Sequence, residues 1–154
     1  MRFSRKPFIG ILETAVNSDI NTTTYKTVTE LQTTLAVGTY FIESFLIHDG
    51  NANYLTSGVK DRIWIISGSA TAVGFVYRAL DNATTATTFP SGKASTNTLV
   101  ESSPSNRSQT TLRTGILTVT SQVVIAVQIA QTNAIAASNT TLQVGSYLKI
   151  TPMT

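Results

Sequence analysis

Residues 38–48, GTYFIESFLIH, are largely apolar whichever way they are divided. Side chains of an extended strand alternate between two faces. Tyr40, Ile42, Ser44 and Leu46 then share one face, and Phe41, Glu43, Phe45 and Ile47 share the other. A strand with one wet face has no use for two apolar ones. Its second face must be covered by a loop, by the edge of a facing sheet or by another subunit. Any fold for this chain has to cover that strand twice.

The rest of the sequence points to strands as well. Thr and Val lose rotamer freedom in a helix but pack well across a pleated surface, and this chain is rich in both. Residues 6–12 (KPFIGIL) read as a first strand or an arm that adds to one, and strands are expected at 25–35, 62–66 and 72–80, the last two joined by a tight reversal through SGSA. Residues 110–120, TTLRTGILTVT, alternate, with Leu112 and Ile116 on one parity and Leu117 and Val119 closing the run. Residues 122–131, QVVIAVQIAQ, are short enough for a helix to compete. The β-branched Val123, Val124, Ile125, Val127 and Ile129 favour a strand. At the end of the chain Leu142, Val144, Ser146, Leu148 and Ile150 fall on one parity, which predicts a closing strand bent at Gly145 and stopped by Pro152.

Residues 81–109 are polar and turn-rich, which predicts a long excursion with a short strand at 97–101. The expected whole is all-β: seven to nine short strands in one antiparallel sandwich or closed barrel. At 154 residues such a domain buries roughly two thirds of its extended-chain surface, so a core without staples is feasible. There is no cysteine, and hence no disulfide framework or thiolate metal site.

Charge is scarce. Charged residues make up 12% of the chain, about half the share usual for a soluble domain, and the net charge is +3. Part of that comes from the basic start MRFSRK, with Arg2, Arg5 and Lys6. The other basic residues are scattered with no aromatic-interleaved stripe, which argues against nucleic-acid binding. No apolar run approaches the roughly 18 residues that span a bilayer as a helix. Glu13 ends the apolar run behind the basic start too early for a signal peptide. Asn-x-Ser/Thr matches at Asn21, Asn82, Asn106 and Asn139 are expected by chance in a chain this rich in Asn and Thr.

Chemistry-bearing clusters do not emerge from the spacing. His48 is the single histidine, so a metal cluster or a Ser-His triad would rest on it alone. Its place at a strand end reads as a turn or surface residue. The sequence HDGNAN offers oxygens from Asp49, Asn51 and Asn53 but lacks the spacing of a calcium loop. The acids Glu13, Asp19, Glu30, Glu43, Asp49, Asp61, Asp81 and Glu101 are spread singly. Neither an enzymatic activity nor a cofactor is expected. Glu43 and Arg78 lie among apolar strand residues, either paired with each other or across a subunit boundary, or facing solvent. Trp64, Phe41, Phe45, Phe75 and Tyr77 read as core or subunit interface.

Several of these pieces carry a resemblance. GTYFIESFLI, AVGFVYRAL, the Thr/Ser/Asn-rich middle, TLRTGILTVT with its Gly115-Ile-Leu-Thr-Val119, VVIAVQIAQ closing on Ala130-Gln131, and Val144-Gly-Ser-Tyr-Leu148 resemble a group of phage virion domains. Those domains share the jelly-roll sandwich of complement C1q and tumour necrosis factor, and the likeness covers residues 25–153. It implies a ten-strand-like jelly roll over residues 25–154, assembled as a homotrimer through apolar side faces, with residues 1–24 as an attachment arm that contributes at most one strand.

The expected function is that of a non-enzymatic capsid decoration or head-associated protein on the virion surface. The alternative is a tail or fibre component that binds a receptor or a host surface glycan through loops such as 51–58 and 82–106. Tyr40, Phe41, Phe45 and Tyr147 are the expected trimer-interface residues. Arg2, Arg5, Lys6, Phe8 and Ile9 are the expected contacts to capsid or tail proteins, made by adding a strand to a neighbour. The short middle region and the lack of a shaft-like N-terminal stretch depart from a fibre and favour a small separate particle protein.

Overall fold

The computed structural model describes residues 6–19, 21–50, 60–81, 86–89, 98–102, 109–134 and 140–153. Among them the chain forms twelve strands: β1 (Phe8–Ile11), β2 (Val16–Asn17), β3 (Lys26–Leu35), β4 (Gly38–Gly50), β5 (Lys60–Ser67), β6 (Ala70–Asp81), β7 (Ala86–Phe89), β8 (Thr98–Ser102), β9 (Gln109–Val119), β10 (Val123–Ala130), β11 (Thr140–Leu142) and β12 (Tyr147–Met153). They make two antiparallel sheets. The larger runs β1-β12-β4-β9-β6-β7, with β11 joining β4 to β2, and the smaller runs β3-β10-β5-β8. All-β and two-layered, the architecture agrees with the alternation of apolar residues along the sequence.

Parity decides which side chains meet between the layers. On β4 the even residues Tyr40, Ile42, Ser44, Leu46 and His48 point inward and are buried. On β9 the odd residues Arg113, Leu117 and Val119 do the same, and on β5 Asp61, Ile63 and Ile65. β10 is a strand, as its β-branched residues predict, and its inward Val123, Ile125, Val127 and Ile129 are fully buried. Leu12, Leu31, Leu35, Leu148 and Ile150 complete one continuous apolar core. Removing this much aliphatic surface from water is the main stabilising term, at about 25 cal/mol per Å².

Four details differ from expectation. Residues 81–109 are not one long excursion, because β7 extends the larger sheet and β8 the smaller; the short strand expected at 97–101 is β8. SGSA does not join a hairpin: the chain reverses at Gly68 (φ +92°) while crossing from the smaller sheet to the larger. The C-terminal strand is interrupted rather than bent. Residues 143–146 form a turn with Gly145 at φ +87°, which leaves Val144 exposed while Leu148 and Ile150 stay inside. Pro152 does not end β12. Beyond Ile150 that strand has a neighbour only on the β4 side, and a proline is tolerated on such an open edge.

β1 closes one edge of the sandwich. It pairs with β12, Phe8 opposite Ile150 and Ile11 opposite Tyr147. Gly10 sits so close to β3 that a Cβ there would lie 2.5 Å from the Glu30 carbonyl oxygen. Only a glycine lets the two sheet edges approach this far.

Candidate functional site

At one end of the sandwich β4 leads to β5, β8 to β9 and β10 to β11. Just inside that end the apolar core gives way to four polar side chains. His48 comes from β4, Asp61 from β5, and Thr111 and Arg113 from β9, and each is buried. His48 Nε2 lies 2.5 Å from Asp61 Oδ2. The Thr111 hydroxyl donates to the same oxygen at 3.1 Å and accepts from Arg113 Nη1 at 3.1 Å. Arg113 Nη2 pairs with Asp61 Oδ1 and also reaches the Asp61 carbonyl oxygen at 3.5 Å. One carboxylate thus ties two strands of the larger sheet to one of the smaller.

Burial sets the protonation states. Desolvation, then the nearby Arg113 charge, lowers the pKa of His48 to about 3, so the ring is neutral at pH 7. Its hydrogen is then on Nε2, where the carboxylate accepts it, and Nδ1 holds a lone pair with no hydrogen-bond partner among the described residues. Desolvation also draws Arg113 down to about 9, which leaves it charged at neutral pH. The cluster is therefore a guanidinium–carboxylate pair steadied by one neutral ring and one hydroxyl.

The surface or turn position expected for His48 is corrected. β4 continues past it to Gly50, so His48 keeps the inward parity of Ile42, Ser44 and Leu46. Spacing along the chain does not bring Asp61 and Arg113 together. The signal was parity: Asp61 precedes Ile63 and Ile65, and Arg113 precedes Leu117 and Val119, on the buried face of their strands.

A second polar feature lies on the outer face of the smaller sheet. The Arg62 guanidinium sits 3.8 Å from the Tyr25 ring and 3.7 Å from the Trp64 ring, while Lys60 Nζ approaches Tyr25 at 4.7 Å. Arg62 Nε donates to Gln128 Oε1 at 2.8 Å, and Gln128 Nε2 donates to Thr27 at 2.9 Å. This ladder crosses β5, β10 and β3. It places Trp64 outside the core, against a cation.

The outward face of the larger sheet carries several exposed apolar side chains around a polar row, Lys149 opposite Glu43. Ile9 and Ile11 of β1, Phe41 of β4 and Met153 of β12 are exposed, Ile9 and Ile11 by more than half. Phe45 stacks on Tyr147 with ring centroids 5.9 Å apart. Tyr147 donates to Glu43 at 2.8 Å; burial and this carboxylate raise the phenol's pKa. Of the four residues expected at a trimer interface, Phe41, Phe45 and Tyr147 share this face. Tyr40 does not: it points inward, is buried in the chain's own core, and donates to the Ala36 carbonyl oxygen at 2.8 Å.

Of the expected attachment residues, Lys6 and Ile9 are exposed and Phe8 is half-buried against the core. Phe8–Ile11 is hydrogen-bonded to β12 of its own chain and forms the end strand of the larger sheet. Arg2 and Arg5 lie outside the described residues, as do Asn51, Asn53 and the loop 51–58. So do most of the residues between Asp81 and Gln109 that link β6 to β9, including Asn82 and Asn106. Glu43 has Tyr147 as its partner, and the side chain of Arg78 on β6 lies outside the described residues.

No protein-family model and no curated protein matches the chain.

Proposed function

We propose that the chain is a non-enzymatic structural protein of a phage virion, a jelly roll that assembles as a homotrimer and decorates the head. The observation that carries the reading is the outward face of the larger sheet. Ile9, Ile11, Phe41, Phe45, Tyr147 and Met153 gather there although the chain has a complete core of its own. Large apolar side chains left exposed on one face mark an interaction face, here with Lys149 and Glu43 among them, and closed symmetry is the usual way for copies of one chain to cover it.

Strand order supports the jelly-roll part. Leaving out the short β2 and β11 and counting the β6–β7 hairpin as one unit, successive strands alternate between sheets. β1, β4, β9 and β12 lie side by side in the larger sheet, and β3, β5, β8 and β10 make up the smaller. Attachment to the particle uses the basic start and β1, an end strand paired only with β12, which adds to a neighbouring strand. The particle and the head position rest on the likeness to phage virion domains.

Light scattering coupled to size exclusion tests the assembly. The expected species at micromolar concentration has about three times the 16.5 kDa chain mass. Phe41→Glu combined with Tyr147→Glu should give a folded monomer. A wild-type monomer overturns the trimer. Immunogold labelling of intact particles tests the placement: label over the head lattice supports decoration, and label confined to the tail tip overturns it.

A further inference from the structure

We infer that His48 is an acid-operated latch: a proton on its ring opens the end of the sandwich where β4 leads to β5 and β8 to β9, while the opposite end stays closed. This does not depend on the function proposed above.

The geometry carries the argument in two steps. The first is where the proton would go. Nε2 already gives its hydrogen to Asp61, so protonation loads Nδ1, which has no acceptor among the described residues. A buried N–H with nothing to bond to loses its hydration without compensation. The second is the charge balance. The groups facing His48 are the Asp61 carboxylate from β5 and the Thr111 hydroxyl and Arg113 guanidinium from β9. The Tyr25 phenol ahead of β3 acts on Arg113. β11, paired beside His48, brings Thr140, Thr141 and Leu142, none of which titrates. Among the described residues one carboxylate balances the guanidinium, so a second cation leaves a net positive charge away from water.

Location makes the response local. Toward the other end the layers meet through Tyr40, Leu117, Val119, Ile65, Val123 and Leu35, all buried. These contacts do not change with pH in the acid range. The polar ring at the His48 end does, and separating β5 from β4 and β9 there admits the water that the imidazolium needs.

The depressed pKa agrees in direction and sets the scale. With about 3 in the closed state and 6.5 in the open one, the opening equilibrium rises about 30-fold between pH 7.5 and pH 5. That interval lies above the ordinary carboxylate range, so it isolates the histidine.

Amide hydrogen exchange at the two pH values, corrected for intrinsic rates, reads the opening directly. Protection at residues 46–48, 61–63 and 111–113 should fall about 30-fold, while residues 39–42 and 117–119 keep theirs. In His48→Gln, which retains a donor toward Asp61 but does not titrate, the pH effect should vanish. Unchanged protection at the His48 end, or equal loss at both ends, overturns the latch. Should the variant not fold, the ring resonances of the wild type decide, because the chain has one histidine. Their titration must accompany the loss of protection. A ring that titrates near 6.5 inside a fully protected fold overturns the inference.

Discussion

Asp61→Asn is the sharpest perturbation of the inter-sheet cluster. The substitution keeps the shape of the side chain and an oxygen that accepts from His48 and Thr111, but removes the charge opposite Arg113. The guanidinium is fully buried and remains a cation at neutral pH. Breaking one member of a buried ion pair costs about 3–5 kcal/mol, because the remaining charge is left uncompensated. Against a total stability of about 5–15 kcal/mol for a domain, that is a large share. At about 2–4 °C per kcal/mol for a chain of this size, the melting temperature should drop by roughly 6–20 °C. Urea titration at pH 7.5 gives the free energy, and calorimetry gives the temperature shift. Arg113→Met added to Asp61→Asn removes the stranded cation, so the double variant should recover at least about 2 kcal/mol relative to the sum of the singles. A loss below about 1 kcal/mol for Asp61→Asn, or an additive cycle, would show that the pair does not hold the layers together.

Three further outcomes follow from other parts of the molecule. Global stability should depend on His48 with a defined sign. Its folded pKa of about 3 lies below the unfolded 6.5, so the contribution is complete above pH 6.5 and is lost as pH falls toward 3. By urea titration that amounts to about 2 kcal/mol between pH 7.5 and pH 5, absent in His48→Gln. Arg62→Ala removes the cation between Tyr25 and Trp64 and should cost about 1–2 kcal/mol. The fluorescence of Trp64, the single tryptophan, should shift to the red, and an unmoved emission maximum contradicts the stacked arrangement. Gly68→Ala places a Cβ against the Gln122 carbonyl oxygen at φ +92° and should destabilise by at least about 2 kcal/mol, read from the urea midpoint.

The layers were legible because alternation is a local property. A window of eight to eleven residues fixes the parity of β4, β9 or β10, and the β-branched residues of β10 decide it against a helix. What the windows did not carry was partnership. Only Gly68 and Ser69 separate β5 from β6, as in a hairpin, yet the two strands lie in different layers. The positive φ of Gly68 permits a crossing as readily as a reversal in one plane. The C-terminal strand shows the opposite failure. Its apolar parity survives across Gly145 only on paper, because a φ of +87° breaks the strand, and Val144 goes to solvent while Leu148 stays in the core.

The buried cluster was hidden for a different reason. His48, Asp61, Thr111 and Arg113 are contributed by three strands, and no spacing rule links residues that meet only after β4, β5 and β9 are stacked. Yet each charge violated its own strand's alternation. Asp61 shares a parity with Ile63 and Ile65, and Arg113 with Leu117 and Val119. A single charge on a buried parity is costly, and two of opposite sign at the same end of a sandwich are each other's remedy. In a chain with so few charges, locking two of them away from water spends scarce polar surface where the apolar core could have continued. Replacing such a pair with aliphatic residues is often neutral for stability, so stability alone does not account for its presence. A guanidinium–carboxylate pair does what aliphatic packing does not: it fixes β5 against β9 in one register and makes that fixation answer to the protonation of the ring beside it.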